Sequence, residues 1–146
     1  MRKIAVSCYL FLFLVVFSSC CSTKSILPLS SLNGDWDIIE LNDAVVVPPP
    51  NQPFPFISFD TALGRVSGNS GCNRMTGSFE VNDKPGKISF GPMAGTRKAC
   101  PDMRLEQTIL NVMTAVKKYK QLGEDMIILQ GTSKHQTIVL RRRGIR

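Results

Sequence analysis

Between residues 32 and 142 the sequence is a succession of short alternating runs of apolar and polar residues, broken by turn residues and interrupted once by a segment of helical period. This punctuation restricts the chain to antiparallel sheet architectures carrying one helix. The runs are LNGDWDIIEL (32–41), FPFISFD (54–60), RVSG (65–68), GSFEV (77–81), KISF (87–90), DMIILQ (125–130) and QTIVLR (136–141). Pro85-Gly86 turns one pair, and GTSKH (131–135) joins the last two as a hairpin. KKYKQLG (117–123) leads from the helix end into a further strand, with Gly123 as turn.

The segment VVVPPPNQPFPF (45–56) cannot be a central strand, because its five prolines remove donors and fix φ; it reads as a stiff surface loop. Pro101 and Asp102 mark a helix start, after which Leu105, Ile109, Val112, Met113 and Val116 fall on one apolar face. Arg104, Glu106, Gln107, Asn111 and Lys118 are placed on the opposite, polar face of a helix of about 15 residues. Trp36, the sole tryptophan, is read as a core anchor. The expected fold is α+β: a highly curved antiparallel β-sheet or open β-barrel with one amphipathic helix packed across it.

The first residues read as an address. Arg2-Lys3 precede an uncharged, mostly apolar run at 4–17, whose helical length of about 21 Å falls short of a bilayer core of about 30 Å. That favours a signal sequence over residues 1–19. FSSCCS follows, and small residues leading into a cysteine look like the lipobox of bacterial lipoproteins, with Cys20 as the lipid attachment site and Cys21 as the second choice. Residues 20–31 then form an acylated N-terminus and flexible tether, 32–142 the domain and 143–146 a basic tail. Two or more acyl chains give stable membrane anchoring, so the expected location is the bacterial cell envelope, lipid-anchored on the outer membrane.

The whole chain of 146 residues has a formal net charge of +7, and removing Arg2 and Lys3 with the signal leaves 16 basic against 11 acidic residues. Part of that excess is the terminal RRRGIR, read as a solvated end. Nucleic acid is a poor partner for an exported protein, and none is expected. Of five cysteines, Cys8 leaves with the signal and Cys20 is taken by lipid, which leaves Cys72 and Cys100 in the domain. An oxidising compartment favours a disulfide between them over a redox or metal site, with two buried thiols as the alternative.

SGNSGCNRMTGSFEV (67–81), GKISFGPMAGTRKAC (86–100) and the helix from Leu105 to Val116 together resemble the META domain, the family that includes the HslJ-type heat-shock lipoproteins. The resemblance begins at the L-x-G-x-W of Leu32, Gly34 and Trp36; its specific parts are Gly71-Cys72-Asn73-Arg74 followed by Gly77, and Thr96-Arg97 followed by Ala99-Cys100. It implies a small β-rich domain with one helix, often on a lipoprotein and linked to stress tolerance, surface integrity or virulence. It brings no catalytic residues, and no cofactor.

The residues themselves point the same way. A nucleophilic Cys72 needs a base, and the sole histidine, His135, lies in a polar turn with nothing tying it to Cys72. Cys72, Cys100 and His135 lack the short spacings that build zinc sites, so no metal is expected. Asp35, Asp37 and Glu40 share a strand without a second carboxylate at a defined distance. Gly68 and Gly71 instead permit a sharp corner, in which Asn73 bonds neighbouring backbone and Arg74 pairs with an acidic side chain or a carbonyl. The expected function is that of a non-enzymatic, monomeric, membrane-anchored lipoprotein that supports envelope integrity or stress tolerance by binding an envelope protein. The alternative is a small-ligand or lipid carrier, similar to pilot lipoproteins, with a pocket inside the curved sheet.

Overall fold

Each alternating run becomes a strand in the structure, a computed structural model that describes residues 28–82 and 86–144. The strands are β1 (Gly34–Leu41), β2 (Ala44–Val45), β3 (Phe56–Asp60), β4 (Arg65–Asn69), β5 (Arg74–Val81), β6 (Ile88–Phe90), β7 (Ala94–Gly95), β8 (Lys118–Gln121), β9 (Met126–Gln130) and β10 (Thr137–Arg142). The one helix, α1, spans Arg104–Ala115. The proposed signal sequence, Cys20, Cys21, most of the proposed tether, Pro85, Ile145 and Arg146 lie outside the described residues.

Antiparallel neighbours run in the order β6-β5-β4-β3-β1-β10-β9-β8, with β2 added to β1 and β7 to β5. The two ends of this order meet. Ile88 N–H donates to the Lys117 carbonyl at 3.3 Å and Tyr119 N–H to the Gly86 carbonyl at 2.9 Å, so the sheet is a nearly closed barrel. Closure removes most of the unpaired edge that an open sheet would present. The α+β class with a curved sheet and a single helix is therefore the observed architecture.

Alternation explains which side chains face inward. Ile57 and Phe59 of β3, Val66 of β4 and Met75 and Phe79 of β5 are buried, while the residues between them look outward. In β1, Trp36 and Ile38 point into the core, and a bulge between Ile38 and Glu40 resets the phase so that Leu41 rather than Glu40 is buried. Phe59 meets Phe79 edge-on with ring centroids 5.3 Å apart, and Phe90 packs against both. Ile109, Val112 and Met113 of α1, with Val116 beyond its end, complete this core. No helix among the described residues is long and apolar enough to cross a membrane.

Two expectations for the helix are corrected. It ends at Ala115 because Val116 adopts an extended backbone (φ −60°, ψ 133°) and starts the path into β8, which places Lys118 on a strand. Glu106 is buried, at 7% exposure, and belongs to the inward face.

The strand ends define two rims. One gathers the corner between β4 and β5, the start of α1 and the turn between β9 and β10. The other gathers the short 3-10 turn Leu29–Leu32, the turn after β3, the turn after β8 and the end of β10. Arg142 closes this second rim. Its guanidinium lies 4.2 Å above the Trp36 ring and donates to the carbonyls of Ser31 (2.8 Å) and Asn33 (3.2 Å), while the indole N–H donates to the Leu32 carbonyl at 2.8 Å. Arg143, one residue on, faces outward over the Phe56 ring at 4.0 Å and pairs with Asp37 at 3.1 Å. The second and third arginines of the terminal basic run are thus packed, while Arg141 is exposed.

Candidate functional site: the Asn73 corner and its groove

The β4–β5 connection turns within four residues. Ser70 N–H and Ser70 Oγ both donate to the Asn73 carbonyl, at 2.9 and 3.1 Å, and Gly71 N–H donates to Asn69 Oδ1 at 2.7 Å. Gly71 has φ +114°, a conformation that side-chain-bearing residues rarely adopt. Gly68 is required for another reason: a Cβ there would collide with the Phe56 carbonyl oxygen across the β3–β4 pair. At Gly77 a Cβ would run into Met93 and the Pro92 carbonyl, which cross that point of β5.

Asn73, 3% exposed, uses its whole side-chain amide. Its Nδ2 donates to the Lys98 carbonyl and to Glu106 Oε1, each at 3.0 Å, while its Oδ1 accepts from Thr96 Oγ1 and Lys98 N–H, each at 2.7 Å. Asn73 N–H donates to the other Glu106 oxygen at 2.8 Å. A buried polar group with every site filled is strongly position-determining, because any displacement leaves a desolvated donor or acceptor without a partner. Glu106, at the third residue of α1, so binds the helix to the corner. Thr96 extends the network by accepting from Arg74 N–H at 3.2 Å.

Cys72 and Cys100 form a disulfide with Cα atoms 6.2 Å apart, which ties the corner to the segment leading into α1. Neither sulfur is then a thiol. His135 lies by Asp43, with Nδ1 3.2 Å from the carboxylate, and no contact among the described residues connects it to Cys72. The helix start is fixed by Asp102, whose carboxylate accepts from Arg104 N–H at 2.9 Å and from the Arg104 guanidinium at 2.6 Å. Gln52 of the proline-rich loop donates to the Asp102 carbonyl at 2.8 Å, so that loop is pinned to the same corner.

The side-chain bond from Arg104, then its backbone N–H, lower the Asp102 pKa from 3.8 to about 2. A folded value below the unfolded one means that the pair supports the helix start above about pH 3.8 and ceases to do so as the pH falls towards about 2. In an NMR titration the Asp102 carboxyl is expected to have its midpoint near 2, and in Arg104→Ala to return towards 3.8. A wild-type midpoint at the ordinary value would mean that the exposed pair is not held in solution.

Arg74 departs from expectation. Its backbone belongs to the corner, but its guanidinium makes no ion pair or hydrogen bond among the described residues. It stands instead on the lining of an open groove of about 810 Å³ across the outer face of β1, β3, β4, β5 and β7. Phe54 and Phe56 give this groove an apolar floor; Ser67, Thr76, Thr96 and Arg143 contribute polar groups. The barrel interior is filled by Trp36, Phe59, Phe79, Met113 and their neighbours, so the space a carried ligand would need inside the sheet is occupied by side chains.

The corner, the disulfide and the helix that follows can now be set against known proteins. The META domain family matches residues 28–144. The chain belongs to the META domain family. Solved structures similar to this META domain include a protein from Burkholderia xenovorans determined by NMR, with 25% identity and a TM-score of 0.61, covering 86% of this chain and 97% of that one. A second NMR structure matches at 21% identity and a TM-score of 0.57, over 79% of this chain and 94% of the other. A DUF4847 family protein from Bacteroides vulgatus shares the fold at 14% identity and a TM-score of 0.53, over 79% of this chain and 96% of its own. No curated protein matches the chain.

Of the residues singled out from sequence, the META domain brings Gly71, Cys72, Asn73, Arg74, Thr96 and Cys100 together at one corner, and places Gly77 further along β5 beneath Met93. Glu106 was missing from that set. Its signal was available, since it lies three residues before Ile109 and seven before Met113, on the apolar stripe of α1.

Proposed function

We propose that this META domain protein is a lipid-anchored, non-enzymatic envelope lipoprotein that binds an extended, acidic segment of another envelope protein in the outer groove. The carrying observation is Arg74: a corner held by the Asn73 network and a disulfide fixes its backbone while its guanidinium is left unpaired among the described residues beside an apolar floor. A residue so placed suits a carboxylate of a partner, with exposed Phe54 meeting an adjacent apolar side chain. The sequence supports the anchor through the apolar run at 4–17 and Cys20. The filled interior favours this reading over an internal lipid carrier.

Two measurements test it. Palmitate labelling is expected for the wild type and for Cys21→Ser, and to be lost in Cys20→Ser; labelling that survives Cys20→Ser would move the attachment to Cys21, and a wild type that takes up no palmitate would remove the anchor from this reading. A photo-cross-linker at Phe54 is expected to trap an envelope protein whose capture is suppressed by Arg74→Glu and by competing acidic peptide. Because Arg74 is exposed and unpaired, Arg74→Glu should leave stability within about 0.5 kcal/mol of wild type. Capture indifferent to both would show that the groove is not the binding surface.

A further inference from the structure

The rim from which residue 28 emerges carries three exposed leucines from three separate turns: Leu29 at 38% exposure, Leu63 at 66% and Leu122 at 52%. A chain of hydrogen bonds holds these turns together. Arg142 N–H donates to the Asp125 carbonyl in the turn after β8, its guanidinium donates to Ser31 and Asn33 carbonyls, and Asn33 Oδ1 accepts from Thr61 N–H in the turn after β3. The Leu63 turn is further tightened by Asp60, whose carboxylate accepts the N–H groups of Ala62 and Leu63 at 3.1 and 3.0 Å. Arg65, the first residue of β4, and Arg141, the last but one of β10, are both exposed at this same rim. Single exposed leucines are ordinary on protein surfaces; three on the tips of turns at one end of a barrel form a shallow apolar contact face, with Arg65 and Arg141 interspersed among the carboxylates of Asp60, Glu124 and Asp125.

We infer that this rim is the membrane-apposed face of the domain, with the three leucines entering the headgroup region of the bilayer that holds the lipid anchor. The inference rests on the anchoring proposed above. Eight peptide units separate Cys20 from Pro28, a reach of at most about 28 Å when fully extended. A tether of that length leaves from the leucine-bearing rim and confines it near the surface, so that weak apolar contacts act at a high effective concentration. Apolar turn tips suit shallow entry into the headgroup region, where Arg65 beside Leu63 can meet a lipid phosphate. The opposite rim, with the Asn73 corner and the β9–β10 turn, and the groove on the barrel wall would then face away from the bilayer or along it, open to a protein partner.

The test places an environment-sensitive fluorophore on Leu63→Cys, on Leu122→Cys or, at the opposite rim, on Lys134→Cys, each in the full acylated chain with Cys21→Ser. The proteins are reconstituted into phosphatidylethanolamine–phosphatidylglycerol vesicles that carry headgroup-level nitroxide lipids. The expected result is a blue shift and nitroxide quenching at positions 63 and 122 with neither at 134, reversed when Leu29 and Arg65 are replaced by serine and glutamate. Equal quenching at 63 and 134 in vesicle-bound, Cys20-acylated protein would overturn the inference and leave the anchor standing. A blue shift at 63 without nitroxide quenching would assign the rim to a second copy of the chain and overturn it likewise. Failure of the protein to acquire lipid or to float with vesicles would overturn the anchoring itself, and the inference with it.

Discussion

Replacing Asn73 by alanine is expected to destabilise the domain by about 3 kcal/mol, a value at the upper end of ordinary single substitutions. The side chain makes four hydrogen bonds at 2.7 to 3.0 Å in a site where it is 3% exposed. Each is worth about 1 kcal/mol net while intact, but the larger cost comes from the partners left behind. The costliest is Glu106, whose buried carboxylate keeps only Asn73 N–H as a donor among the described residues, whereas Thr96 Oγ1 and both backbone groups of Lys98 lie on an exposed segment and can turn to water. Urea unfolding with the disulfide intact measures the effect as a fall in midpoint at unchanged slope. Asn73→Asp keeps the size of the side chain and removes both donors while adding a charge 3.0 Å from Glu106, so it should be at least as damaging. A loss below about 1 kcal/mol for Asn73→Ala would mean that the corner relaxes easily and that the amide is not what holds it.

The same residue separates what was legible in the sequence from what was not. The strands were legible because Ile57 and Phe59, Val66, and Met75 and Phe79 alternate with polar neighbours, and alternation by itself selects the inward face. The α1 stripe was legible for the corresponding helical reason. Glu106 was misplaced because a charged side chain at the edge of a stripe is normally solvated; its spacing to Ile109 and Met113 allowed burial, but the donors that make burial tolerable, Asn73 N–H and Nδ2, come from a distant strand end. Arg142 and Arg143 were read as part of a solvated tail since nothing local distinguishes them. Their roles depend on register, which sets Arg142 opposite Trp36 and leaves Arg143 to reach Phe56 and Asp37 on the outer face. Pairings across a hundred residues of sequence cannot be read from composition. The two-residue strands β2 and β7 escaped for a simpler reason: a pair such as Ala94-Gly95 has no period to detect.

Removing the Cys72–Cys100 bridge should cost about 3–4 kcal/mol, the chain-entropy value for closing a loop of about 29 residues. That is a large share of the roughly 5–15 kcal/mol that holds a domain of this size. The loss is expected in a Cys72→Ala, Cys100→Ala variant and, for the wild type, on reduction; intact mass with alkylation before and after reduction shows whether both sulfurs are blocked in the native protein. The bridge and Asn73 act on the same segment, since the chain from Thr96 to Cys100 is held by Asn73 at Thr96 and Lys98 and by the disulfide at its end. Their effects should therefore fail to add. If the segment lets go as a unit once either restraint is lost, the triple variant is expected to be about 1 kcal/mol or more better than the sum of the separate losses. Strict additivity would show that the two restraints hold different parts of the corner.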